Sequence, residues 1–254
     1  MKQSQFYYLL RRGLFSAGSA IIKNGLVMFN KFTTAGLNFP AQGSAEFNGS
    51  SDYILLNDPF SHTNHTIAAW VYTKDDSGSK EVFNALDTAD DGIRLIAKSD
   101  EILRYSVNNS DAEASVAYTD EWVYAVGTYD GTTQKFYING SVVDSNTTSQ
   151  TINVTNNAII GARSYSSVVN NWNGNLANVA IWNRALSSDE INSVMWKSYE
   201  ALSGAESNGL QAWYSLDDIT SPAASLANME QLATDKNATI ENKAAITAAI
   251  NALS

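Results

Sequence analysis

The chain has 254 residues, with 16 Lys and Arg against 26 Asp and Glu, and a formal net charge of −10. It holds no cysteine, which excludes disulfides, thiolate metal sites and a cysteine nucleophile, and no apolar run reaches the roughly 20 residues that cross a bilayer as a helix. Charge is uneven: residues 1–45 carry +5 and the remainder −15, which argues against nucleic-acid binding by the remainder.

In chain order, residues 1–40 read as an apolar and basic arm. Phe6, Tyr7 and Tyr8 form its first apolar cluster, and Arg11 and Arg12 follow. A charged pair placed after an apolar cluster, with Lys23 breaking the next run, is not the order of a signal peptide. The arm is therefore expected to be an assembly element that adds to its own domain or to a partner, including copies of the same chain.

Next come segments with the period-2 alternation of half-buried strands. Ala45–Ile54 reads as strand, turn and strand. Thr66–Tyr72 follows. Trp122–Gly131 and Gln134–Gly140 are joined by Asp-Gly and closed by Asn-Gly, dipeptides that accept the positive φ of tight turns. Asn157–Ala162 leads into a long polar loop. Asn173–Ile191 reads as a strand and then a short helix, with Ser187 or Ser188 as cap and acids in the first turn. Leu210–Asp217 reads as a last strand. Phe47, Trp70, Trp122, Tyr129, Phe136, Ile138, Ile160 and Ile181 are expected to point inward between two packed sheets. From about residue 219 to 254, Ile246, Ile250 and Leu253 follow helical spacing, giving a short helical tail.

These landmarks, in this order, resemble the laminin-G-like, concanavalin A-like jelly-roll family. The resemblance implies an all-β fold, an antiparallel two-sheet sandwich over 41–218. It also implies a binding or structural module more often than an enzyme. Sandwich glucanases project two or three carboxylates from one strand as Glu-x-Asp-x-(x)-Glu, and that motif does not occur here. His62 and His65 are the only histidines, three apart in a polar stretch with no evident third metal ligand. The chain is expected to be a non-enzyme. Members of the family often hold one calcium ion at the rim with oxygen ligands, and the positions that match are Asn48, Asp52 and Asn178. Ala177 stands beside Asn178 where relatives carry an acid, which weakens the match, and a turn role is the simpler reading of Asp52.

Glycan recognition calls for exposed aromatic rings beside amides, carboxylates and guanidiniums. The long loop has that composition at Tyr165, Asn170, Asn171 and Trp172, with Arg94 and Tyr105 expected across the same rim beside Asp87, Asp90 and Asp91; the alternative for Trp172 is a ring tucked under the sheet edge. The combined expectation is a non-enzymatic structural or adhesive protein of a large assembly, foremost a bacteriophage virion protein of capsid or tail. Its partners would be other virion proteins or host glycans. The alternative is a secreted, extracellular bacterial carbohydrate-binding module.

Overall fold

The computed structural model describes residues 43–216, apart from 57, 74, 76, 88–90 and 165–166. The arm residues Phe6, Tyr7, Tyr8, Arg11 and Arg12 and the helical tail lie outside the described residues.

Within them the fold is an antiparallel sandwich of two large sheets. The seven-stranded sheet runs β1 (Ala45–Asn48), β14 (Asn173–Trp182), β3 (His65–Thr73), β8 (Val123–Tyr129), β9 (Thr133–Ile138) and β10 (Ser141–Thr147), with β15 (Leu210–Tyr214) also paired to β14. The six-stranded sheet runs β2 (Ile54–Leu55), β11 (Ile159–Ile160), β4 (Lys80–Leu86), β5 (Gly92–Lys98), β6 (Ile102–Val107) and β7 (Ser110–Ser115). A small hairpin, β12 (Arg163–Ser164) with β13 (Val168–Val169), follows β11. Because β1 and β14 enter one sheet while β2 and β11 enter the other, consecutive strands cross the sandwich, as a jelly roll requires.

Between the sheets lies one apolar core. Phe47, Ile67, Val71, Phe83, Leu95, Tyr105, Tyr129, Phe136, Ile138, Ile160, Trp172 and Ile181 all belong to it. The sheets approach closely where Tyr105 lies on Gly127: a Cβ at Gly127 would stand 2.2 Å from the Tyr105 ring. Beside it His65 is fully buried. Its Nδ1 is 3.0 Å from the His62 carbonyl oxygen, which can only accept, so Nδ1 donates and Nε2 accepts from the Tyr105 hydroxyl at 2.5 Å.

Two expected core residues go elsewhere. Trp70 alternates with Ile67, Ala69 and Val71 on β3 and faces the outer side of the seven-stranded sheet, as does Trp122 beside Tyr72. Trp70 is buried nonetheless, because the segment after β14 folds over that side. This segment carries helix α1 (Ser188–Val194), with Ser187 as its N-cap in a capping box with Glu190. Its Ile191 and Val194 are buried. Glu206 ties the segment together, accepting from Ser193 Oγ at 2.6 Å, Lys197 Nζ at 2.5 Å and the Ser203 amide at 2.7 Å. Burial works to raise the Glu206 pKa, but these donors outweigh it and bring it to about 2.

Burial, opposed by the His62 hydrogen bond, lowers the His65 pKa from 6.5 to about 4. As pH falls, the unfolded chain takes up that proton first. The His65 contribution is therefore intact above pH 6.5 and is lost between 6.5 and 4, about 3 kcal/mol in all. Denaturant unfolding at pH 7 and pH 4.5 should show most of this loss, and His65→Gln should flatten it; an unchanged pH dependence in that variant would remove His65 as its source. Gly127→Ala should cost about 1–3 kcal/mol through the overlap with Tyr105, read as a lowered denaturation midpoint.

Candidate functional site

The loop singled out by sequence meets the outer face of the six-stranded sheet, and the strand register sets what that face presents. Asn84, Arg94, Ser106 and Asp111 stand opposite one another across β4 to β7, and Glu81, Ile96, Arg104 and Glu113 form the neighbouring row. All of them alternate with the core-facing residues Phe83, Ala85, Leu95, Leu103, Tyr105 and Ala112.

At one end of this face the chain leaving β11 closes over β4. The Glu81 amide donates to the Asn170 carbonyl at 3.0 Å, and Asn84 Nδ2 donates to the Ala162 carbonyl at 2.6 Å. The Glu81 side chain is fully buried and ion-paired through Oε1 with Arg94 Nη2. Burial pushes the Glu81 pKa up, with Arg94, Arg163 and the Asn170 amide opposing it. Glu81 Oε2, Asn84 Oδ1 and Arg94 Nε are buried with no hydrogen-bond partner among the described residues, so this corner holds more polar capacity than the protein satisfies. Towards β7 the face opens. Arg104 Nη1 pairs with Asp111 Oδ2 at 2.7 Å while Nη2 and Nε reach Glu113, and Lys98 Nζ lies 3.5 Å from Glu113 Oε1. Tyr53 and Leu55, at the β2 edge, and Val168 and Val169, on the hairpin, are exposed apolar side chains.

Of the six residues expected to bind glycan, Arg94 and Asn170 converge on Glu81. Trp172 and Tyr105 do not join them: both are 0 % exposed and sit in the core between the sheets, so neither offers a ring face to a sugar. For Trp172 this is the tucked-under alternative, since a large aromatic next to a close sheet crossing fills the core. Asn171 is buried and donates to the Asp52 carbonyl at 3.3 Å. Tyr165 lies outside the described residues, as does Asp90. Asp87 and Asp91 stand at the far end of the β4–β5 hairpin from Asn170, where Asp87 Oδ1 accepts from the amides of Thr155 and Asn156 at 2.8 and 3.0 Å.

The three residues expected to hold calcium do not form one site. Asn48 Oδ1 accepts from the amides of Ser50, Ser51 and Asp52, and Asp52 Oδ2 accepts from the Asn48 amide at 3.1 Å, a self-contained turn. Asn178 lies on the strand that pairs with Asn48, but five residues beyond its partner Asn173, about 16 Å along the strand. It adopts φ +47° at the bulge between Ala177 and Ala180. His65 is committed to Tyr105 and His62, so the two histidines offer no shared metal site. Among the described residues no group of three or more His, Asp or Glu is placed to hold a metal.

The burial of Trp172 reverses what its loss should do. Trp172→Ala should destabilise the fold by about 3–5 kcal/mol through an unfilled core cavity, seen as a lowered midpoint in denaturant. A stably folded Trp172→Ala protein that has lost only ligand binding would contradict the core assignment.

Comparison with known proteins agrees with the geometry. A laminin-G family model, described as the concanavalin A-like lectin/glucanases superfamily, matches residues 48–192. Among solved structures, a protein from Bacteroides ovatus provisionally described as carbohydrate-binding superposes with a TM-score of 0.55 at 16 % identity, over 69 % of this chain and 51 % of that one. The chain thus spans about half the length of that protein. The sialidase carbohydrate-binding module of Ruminococcus gnavus, bound to α2,3-sialyllactose, gives a TM-score of 0.49 at 13 % identity, over 60 % of this chain and 97 % of that one. No curated protein sequence matches. With more than half of its length covered by the family match and a two-sheet jelly roll as its fold, the chain belongs to the concanavalin A-like lectin/glucanases superfamily.

Proposed function

We propose that the sandwich is a non-catalytic carbohydrate-binding module whose ligand lies along the outer face of the six-stranded sheet. The observation that carries this is the open half of the face towards β7, where Lys98, Arg104, Asp111 and Glu113 are partly exposed at strand spacing, while Glu81, Asn84, Ile96 and Ser106 are buried behind them. Guanidinium, ammonium and carboxylate groups on a rigid sheet are donors and acceptors of the kind that sugar hydroxyls require. The fold-level likeness to a Bacteroides ovatus protein provisionally described as carbohydrate-binding supports the same reading. Glycoside hydrolysis needs one carboxyl group to protonate the leaving oxygen and a second to act as nucleophile or base. Here Asp111 and Glu113 are both clamped by Arg104, and Glu81 is buried against Arg94. That arrangement favours holding a ligand over cleaving one. An assembly role through residues 1–40 would be additional to this site and is not drawn from it.

Arg104 is the test residue, being partly exposed and central to the open half of the face. Its surface ion pairs carry about 0–1 kcal/mol of stability each, so Arg104→Ala should fold normally and bind soluble oligosaccharides at least tenfold more weakly by calorimetric titration. Unchanged affinity for every oligosaccharide that the parent binds would refute the placement of the site.

A further inference from the structure

On the opposite side of the sandwich, the outer face of the seven-stranded sheet carries a row of different character. Register places Glu46 opposite Asn175 and Asn175 opposite Tyr72, and Trp122 stands beside Tyr72 one step before the Val71–Val123 pair. The Tyr72 and Trp122 rings are 5.5 Å apart at 37°. Tyr72, Trp122 and Asn175 are half-buried and Glu46 is exposed. The row crosses β1, β14 and β3 to the start of β8, about 14 Å at normal strand spacing. Two residues back along β3, Trp70 lies between Tyr124 at 5.1 Å and Trp196 at 5.2 Å, and its Nε1 donates to the Met195 carbonyl at 3.1 Å. Trp196, 43 % exposed, covers that end.

We propose that this strip, Glu46–Asn175–Tyr72–Trp122 with Trp196 at its side, is a second carbohydrate-binding surface, for an extended neutral glycan. A sugar ring is amphipathic, with a C–H face that stacks on an aromatic ring and an edge of hydroxyls. The strip repeats that pattern: rings at Tyr72, Trp122 and Trp196, an amide at Asn175, and carboxylates at Glu46, Asp120 and Glu121 along the border. Asp120 already accepts from the Tyr72 hydroxyl at 3.1 Å, fixing that ring's outer end. Trp70 is locked from both sides and by its hydrogen bond, so the ring beneath Trp196 is set before any ligand arrives and little conformational freedom is lost on stacking. Among the described residues of the strip there is no exposed Leu, Ile, Val or Met, the side chains a protein-docking core would need. The described groups that border the strip are the carboxylates of Glu46, Asp120 and Glu121, which repel an acidic sugar. These points favour a neutral glycan over a protein surface or a sialylated or uronic-acid chain.

This surface is separate from the polar face of the six-stranded sheet, so the two proposals stand or fall independently. Full-length protein is titrated with neutral cello-, xylo- and manno-oligosaccharides, and with sialyllactose and oligogalacturonate as acidic controls, while tryptophan emission and heat are recorded. The expected result is a change in tryptophan emission with at least one neutral series. Trp122→Ala and Trp196→Ala should weaken that binding tenfold or more, while Arg104→Ala leaves the emission change intact. Trp196 is exposed enough for Trp196→Ala to fold, which keeps the test valid if Trp122→Ala does not. The proposal is overturned if no neutral oligosaccharide alters the emission, if both tryptophan variants keep full affinity, or if acidic glycans are preferred. It is also overturned if the parent self-associates through this face and Trp196→Ala abolishes that association, since the occupant would then be a second copy.

Discussion

Trp70 is held between Tyr124 and Trp196, with its indole nitrogen bonded to the carbonyl that ends helix α1. This contact turns the seven-stranded sheet from a half-buried layer into one packed on both sides. An antiparallel sandwich needs only its inner faces apolar, and its outer faces can stay wet. Here β3 is buried along nearly its whole length on both sides, because the chain beyond β14 folds across it and is tied down by Glu206. Two residues further along β3 from Trp70, Tyr72 and its neighbour Trp122 are half-buried. Beside the cover that buries Trp70, an aromatic margin is thus left at the surface.

The six-stranded sheet solves its outer face differently, with charge in place of apolar cover. Arg94 neutralises the buried Glu81, and Arg104 spans two carboxylates on the next strands. A buried pair of this kind returns little net stability, since the desolvation of both groups offsets their attraction, while removing one partner costs several kcal/mol. Among the described residues, Glu81 Oε2, Asn84 Oδ1 and Arg94 Nε have no hydrogen-bond partner, so the cluster is not optimised for stability alone.

Much of the fold was legible in the sequence, since β1, β3, β8, β9, β14 and helix α1 with its Ser187 cap all fall where alternation and turn dipeptides put them. The strands β4 to β7, which form most of the six-stranded sheet, gave no such signal. β4 buries both faces and is bulged between Glu81 and Phe83, so its period breaks, and β7 reads Ser-Asp-Ala-Glu-Ala-Ser with only alanines facing the core. The site was less legible for a related reason. Alternation tells which residues share a face but not which face is covered, so it puts Trp70 and Trp122 inside and leaves Trp172 between a ring open to a sugar and one tucked under the sheet edge. Only the path of the segment after β14 and the return of the chain at Gly161 and Trp172 decide those three. Arg94 and Asn170 stand out in the sequence as polar candidates, but Glu81, the group on which they converge, carries no sign in a run that reads as an ordinary charged strand start.

The two outer faces also sit within one electrostatic environment. Outside the N-terminal 45 residues the chain carries a net −15, and the cations facing outward from the six-stranded sheet, Lys98, Arg94 and Arg104, are already matched to carboxylates. An anionic ligand approaching either face would meet a repulsive field, and at the six-stranded sheet it would also have to displace an existing ion pair before gaining one of its own. A neutral glycan meets neither cost: it can accept from an arginine that keeps its carboxylate, and it can stack on Trp122 or Trp196 without any charge being desolvated. Selectivity against acidic sugars then follows from pairing already present in the free protein, with no dedicated repulsive contact needed.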